Sequence, residues 1–280
     1  MKSFLFLSPC FAICAFIAFG SNTAPTTLST SDNSTHNDLV WGDEFNYTGL
    51  PDASLWTYDV GRGCDLPCGC GWGNNELQYY TDGNLNNAKV ENGNLVIRLQ
   101  KDKEDNYTSA KIHSKASASW KYGTIEVRAK TAKGLGAWSA IWMMPAENKY
   151  GGWPKSGEID IMEQVGYEPD SVWSAAHVEK FNGMRGTQKN ALSYVPNISD
   201  DFHVFKLVWS EDKYETFVDG KLNLTYVNEN SGTATWPFDQ KFYVILNLAY
   251  GGNWAGKNGT DDSTLPSEML IDYVRVYQNK

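Results

Sequence analysis

Apolar and polar positions alternate along much of the chain. No segment carries the three-to-four-residue spacing of an amphipathic helix. Leu95-Val-Ile-Arg-Leu99 follows the turn Asn92-Gly93-Asn94 and predicts a strand. In Thr124-Ile-Glu-Val-Arg-Ala129, the side chains of Ile125, Val127 and Ala129 fall on one face. Phe205, Leu207 and Trp209 alternate in the same way. Residues 214–218 and 221–227 flank Asp219-Gly220, a dipeptide suited to a two-residue hairpin. Residues 242–248 are almost continuously apolar, as in a central strand, and residues 271–277 predict a closing strand. Short strands joined by Gly- and Asn-rich turns predict an all-β sandwich. There is no internal repeat and no long linker between domains, so one domain is expected.

The first residues break this pattern. Lys2 precedes an apolar run over residues 4–19, interrupted by Pro9, and small residues follow at Ala18, Gly20, Ser21 and Ala24. This predicts a cleaved signal peptide over residues 1–24. The run falls short of the roughly 20 residues a membrane span prefers. Cys10 and Cys14 follow Pro9 and Ile13, not the small residue a lipoprotein anchor needs. Residues 25–37 are expected to be a flexible linker and residues 38–280 the folded domain. The protein is then expected to be secreted, extracellular or periplasmic, monomeric, and free of the membrane after cleavage.

Composition narrows the partner. The net charge of −9 argues against nucleic acid, which selects a basic face. Aromatic residues make up 14% of the chain, with 11 Trp, so either the core is rich in rings or a surface is built to stack on sugars. An exported chain meets an oxidising compartment, so one disulfide is expected among Cys64, Cys68 and Cys70. The third Cys is left over or pairs between chains. A zinc site is the rival reading, but no His lies nearby to complete it.

The chemistry concentrates in Trp153-Pro-Lys-Ser-Gly-Glu158-Ile-Asp160-Ile-Met-Glu163. In a regular strand Glu158 and Asp160 share a face, and Glu163, at an odd offset, points away. A β-bulge near Ile161 or Met162 brings all three carboxylates to one side. Crowded carboxylates repel unless they share protons or have a task. Retaining glycosidases need such a pair, one nucleophile and one acid/base. The competing readings are a solvated acidic face and a metal site, the latter with no His inside the motif.

Glu-Ile-Asp-Ile-Met-Glu resembles the catalytic signature of glycoside hydrolase family 16, and its spacing resembles the laminarinase-type branch. Trp41-Gly-Asp-Glu-Phe45, Trp72-Gly-Asn-Asn-Glu-Leu-Gln-Tyr-Tyr-Thr81, Gly136-Ala-Trp-Ser-Ala-Ile-Trp-Met-Met-Pro145 and Ile271-Asp-Tyr-Val-Arg-Val-Tyr277 resemble further family segments, in the family's order. The resemblance implies a jelly-roll of two antiparallel sheets with a concave cleft, and double displacement with retention. It implies Glu158 as nucleophile, Glu163 as acid/base and Asp160 as their assistant. Substrate contacts are expected from Trp138, Trp142, Trp153, His177, Asn74, Asn75, Glu76, Arg98 and Trp254. No cofactor is expected for catalysis. A structural calcium is implied at Glu44, the Gly93 carbonyl and Asp272, which suits a hard cation.

The expected substrate is β-1,3-glucan or mixed β-1,3/1,4-glucan. Alternatives are hydrolysis or transglycosylation of another polysaccharide, of agar or carrageenan type. A non-catalytic glucan-binding protein on the same fold is disfavoured, because all three carboxylates are retained.

Overall fold

The computed structural model describes residues 37–67 and 69–279. The expected signal peptide, most of the expected linker and Cys68 lie outside the described residues. The first described element is the strand Asn37–Asp43, and its first residue is the last one assigned to the linker.

Two sheets pack face to face around a single core. The ten-stranded sheet runs Lys221–Val227, Lys213–Val218, His203–Trp209, Gly123–Lys130, Ser267–Asn279, Asn94–Lys101, Tyr107–Ser109, Tyr79–Tyr80. Asn37–Asp43 also pairs with Ser267–Asn279, and Ala88–Glu91 with Asn94–Lys101. The seven-stranded sheet runs Lys189–Tyr194, Ser171–His177, Glu158–Val165, Ala137–Pro145, Phe242–Tyr250, Lys111–His113, Thr57–Tyr58. Pairing is antiparallel except between Tyr79–Tyr80 and Tyr107–Ser109. Phe242–Tyr250 and Ser267–Asn279 enter the middles of their sheets from late in the chain, the crossovers of a jelly-roll.

The alternation read from sequence sets the layers. Ile97, Leu99, Ile125, Val127, Phe205 and Leu207 turn inward from one sheet and are fully buried. Ile141, Met143, Ile159, Val244, Leu246 and Leu248 meet them from the other. Each such side chain contributes about 1.5–3 kcal/mol on burial. Asp219 and Gly220 both have positive φ, the conformation the hairpin between Lys213–Val218 and Lys221–Val227 requires. Cys64 and Cys70 form a disulfide that closes the loop before Trp72.

Candidate active site

The acidic strand Glu158–Val165 lies in the middle of the seven-stranded sheet, between Ala137–Pro145 and Ser171–His177. Its entry depends on Gly157, whose φ is +87°, and a Cβ there would stand 2.8 Å from the side chains of Pro237 and Phe238. Ile159 pairs with Met143 and Asp160 with Trp142. The register then slips, so that Met162 pairs with Ile141 and Glu163 with Ala140. Trp142 and Ala140 are two residues apart and share a face, so Asp160 and Glu163 share it too. On the other side Glu158, Asp160 and Glu163 stand opposite His177, Ala175 and Trp173, again alternate residues of one face. The bulge is present, and Ile161 is its extra residue. The displaced carbonyl of Ile161 accepts a hydrogen bond from Ser174 Oγ at 2.7 Å, so the irregular backbone is not left unsatisfied.

The three carboxylates differ in surroundings. Burial, then the neighbouring Asp160, pushes Glu158 up to about 7, against the pull of the Trp153 indole. Trp153 Nε1 donates to Glu158 Oε2 at 2.7 Å. Glu163 is raised well above the ordinary carboxylate range by burial, by Asp160 and by Glu158, with the Trp138 indole opposing. Asp160 is almost fully buried, and its Oδ2 lies 3.2 Å from His177 Nε2 without the alignment of a hydrogen bond.

His177 Nε2 is also 3.9 Å from Glu158 Oε1. Burial opposes a charge on this ring, but Glu158, Asp160 and Glu163 outweigh it and raise the imidazole to about 10. The Gly183 amide, however, donates to Nδ1 at 3.0 Å, which requires that atom to be unprotonated. The two influences conflict. The hydrogen bond is the stronger constraint, because it occupies the lone pair a second proton would need. The ring then carries its proton on Nε2, facing Asp160 and Glu158. One ligand atom from each of Glu158, Asp160 and His177 lies within 4.8 Å of the others, a spacing that suits a metal. A ring protonated on Nε2 has no lone pair to offer there, so the cluster reads as an acid/base site.

Aromatic rings flank the carboxylates. Trp138 and Trp142 share their face. Trp142 Nε1 donates to Asn247 Oδ1 at 2.6 Å, and Asn247 Nδ2 to the Tyr80 hydroxyl. Trp254 meets Trp138 edge-on at 5.0 Å, and the exposed Trp153 ring lies 6.1 Å from His177. The loop of Asn74, Asn75 and Glu76 abuts this group through Gly251, but its polar groups are largely spent on itself. Asn74 and Gln78 donate to the buried Glu76 carboxylate, and Asn75 donates to Asn253.

Arg98 is a correction. Its strand belongs to the other sheet, where Ile97 and Leu99 fill the core and Arg98 points outward to pair with Glu268 at 2.6 Å. It is not in the cleft. Register places the residues expected to bind calcium near one another: Leu95 pairs with Ile271 and Asp43 with Val274, so the start of Asn94–Lys101 and the end of Asn37–Asp43 both meet Ser267–Asn279 near Asp272. Their side chains are engaged elsewhere, Glu44 by Arg275 at 2.7 Å and Asp272 by Arg128 at 2.6 Å.

Several cleft residues carry no sequence signal of their own. Lys111 and His113, opposite Asn247 and Ile245, share the carboxylate-bearing face, and Lys111 Nζ pairs with Asp59 at 3.0 Å. That ammonium lies between the rings of Trp72, at 4.3 Å, and Trp142, at 5.0 Å. Trp173 sits opposite Glu163. A three-residue strand is too short for period-two reading, and a lone Trp says nothing of its face.

Comparison with known proteins agrees with this geometry. The family model described as glycosyl hydrolases family 16 matches residues 72–275. A β-glucanase of Rhodothermus marinus is 44% identical over 257 residues, covering 89% of this chain and 87% of that protein. The crystal structure of the laminarinase from Rhodothermus marinus superposes with a TM-score of 0.82 at 43% identity, covering 87% of this chain and 98% of that one. That of SCLam, a non-specific endo-β-1,3(4)-glucanase, gives 0.81 at 43% identity, covering 87% and 92%. With a bulged strand aligning its carboxylates and the family model matching most of its length, the chain belongs to glycosyl hydrolases family 16.

Proposed function

We propose that the protein is a secreted endo-glycosidase that cuts β-1,3-glucan, or mixed β-1,3/1,4-glucan, with retention of configuration. The observation that carries the reading is the bulge at Ile161, which sets Glu158, Asp160 and Glu163 on one open face. The names of the β-glucanase and laminarinase relatives support the substrate class. The apolar leader pattern of residues 1–24 supports export.

Glu158, the less strongly raised of the pair, ionises first and attacks the anomeric carbon. Glu163, the more strongly raised, keeps its proton and gives it to the departing glycosidic oxygen. The result is a glycosyl ester on Glu158 and a free chain end. Glu163, now a carboxylate, takes a proton from water, whose oxygen attacks the same carbon and releases Glu158. Trp153 holds Glu158 through its indole N–H, and His177 Nε2–H faces Glu158 and Asp160 from the other side. Calcium at Glu44, Gly93 and Asp272 would stabilise the fold and take no part in these steps. Binding it requires the half-buried Arg128 pair and the bidentate Arg275 pair to open, which the ion's own contacts must offset.

The test is reducing-end release from laminarin, lichenan and agarose by the wild type and by Glu158→Gln. Short oligosaccharides from laminarin, abolished in the variant, are expected. Cutting of agarose alone would overturn the substrate. Retention on insoluble glucan without any cutting would overturn the enzyme reading.

A further inference from the structure

Beyond Ser171–His177 the seven-stranded sheet ends in the edge strand Lys189–Tyr194. Asn190 stands opposite Ala175, Leu192 opposite Trp173 and Tyr194 opposite Ser171. Ala175 and Trp173 are in turn opposite Asp160 and Glu163. Asn190, Leu192 and Tyr194 therefore point to the same open side as the catalytic carboxylates. The intervening residues behave as the inward set: Ala191 packs on the core and Ser193 Oγ donates to Asn223.

Leu192 is 50% and Tyr194 74% exposed. Edge strands are usually blunted with charge; here the one charge, Lys189, alternates with Asn190, Leu192 and Tyr194 and lies over the Phe181 ring, so the open face offers an aliphatic chain and a phenol. Trp173, beside them, is fixed by its bond to Glu168 and lies edge-on to Trp254, which meets Trp138. An apolar strip thus crosses the strands from the carboxylates to the sheet edge. Exposed apolar surface continuous with a catalytic cleft is surface kept for a ligand.

We propose that Leu192 and Tyr194, with Trp173, form a distal subsite for sugar units of the polysaccharide being cut, about two strand spacings (~10 Å) from the strand of Glu163. This rests on the hydrolase reading of the site. The C–H faces of a pyranose are apolar and stack on a ring or an aliphatic chain, and the phenol hydroxyl meets sugar hydroxyls. A second copy pairing along this edge would use its backbone groups, not this face.

The experiment titrates β-1,3-gluco-oligosaccharides of increasing length into the Glu158→Gln chain by calorimetry. It is repeated with Leu192→Ala and Tyr194→Ala added, after circular dichroism shows the fold unchanged. Affinity is expected to rise roughly three- to ten-fold once the chain is long enough to reach the edge strand. That step should vanish in the added variants, with short oligosaccharides bound as before. A step that persists overturns the subsite and leaves the hydrolase reading standing. No binding at any length overturns both. A dimer seen by sedimentation, and lost in the added variants, assigns the face to a second copy and also overturns the subsite.

Discussion

The backbone amide of Gly183 donates a hydrogen bond to Nδ1 of His177 at 3.0 Å, and so fixes which ring nitrogen faces the carboxylates of Glu158 and Asp160. A Cβ on residue 183 would stand 3.2 Å from His177 Cε1 and 3.5 Å from Nδ1, so Gly183→Ala should displace the ring. Freed from the amide, His177 can take the second proton that Glu158, Asp160 and Glu163 favour. A cation beside Glu163 stabilises its carboxylate, so the acid form is lost at lower pH. The alkaline limb of kcat/KM should move to lower pH in the variant, and an unmoved limb would show that the amide does not govern the ring.

Trp153→Phe removes the indole N–H that holds the Glu158 carboxylate. With that bond gone, Glu158 should titrate higher and the acid limb of kcat/KM should shift to higher pH. The loss of a charge-assisted bond, worth about 1.5–3 kcal/mol, sets an upper bound of about two pH units. A fall in activity with the limb unchanged would assign Trp153 to sugar stacking alone.

Glu163→Gln removes the carboxyl proposed as the proton donor. On laminarin kcat should fall about 10²- to 10⁴-fold. An aryl glycoside whose leaving group needs no proton should be cleaved with a much smaller loss in the first step. Equal losses on both substrates would argue against the acid role.

Glu158 also makes stability depend on pH. Its folded pKa, about 7, lies above the ordinary value of 4.5, so the folded state holds its proton more tightly than the unfolded chain. That contribution is complete below about 4.5 and is lost as pH rises through about 7. Its loss is on the order of 3 kcal/mol by linkage. Glu158→Gln should therefore match the wild type in Tm at pH 4 and exceed it by several degrees at pH 8. A Tm difference that is the same at both pH values would contradict the shift.

Calcium should raise Tm if Glu44 and Asp272 release their arginines and bind the ion together with the Gly93 carbonyl. At a hundredfold excess over Kd the gain is about 2.7 kcal/mol, or roughly 5–10 °C for a domain of this size. EDTA should reverse it and Asp272→Asn should abolish it. A Tm indifferent to calcium would leave the Arg275 and Arg128 pairs as the stabilising contacts.

The fold and the catalytic strand were largely legible because both rest on period two. The odd offset between Glu158 and Glu163 in an apolar strand demands a bulge, and the structure places it at Ile161. Asp219-Gly220 similarly fixed its hairpin. What alternation cannot say is which sheet a strand joins. Arg98, expected to contact substrate, does face away from the core, but in the sheet without the carboxylates. The strand Lys189–Tyr194 is mostly polar and was not evident, because an edge strand buries too little to need a hydrophobic pattern. Lys111 reaches the cleft only through the late strand Phe242–Tyr250 inserting beside it, a relation between segments far apart in sequence.

The most direct test of the mechanism is to trap the glycosyl-enzyme. The chain is incubated with an activated 2-deoxy-2-fluoro β-glucan glycoside, and its intact mass and peptide map are measured. A single added glycosyl group, located on Glu158 and absent from Glu158→Gln, is the predicted result. A label on another residue, or products of inverted configuration with no label at all, would contradict it.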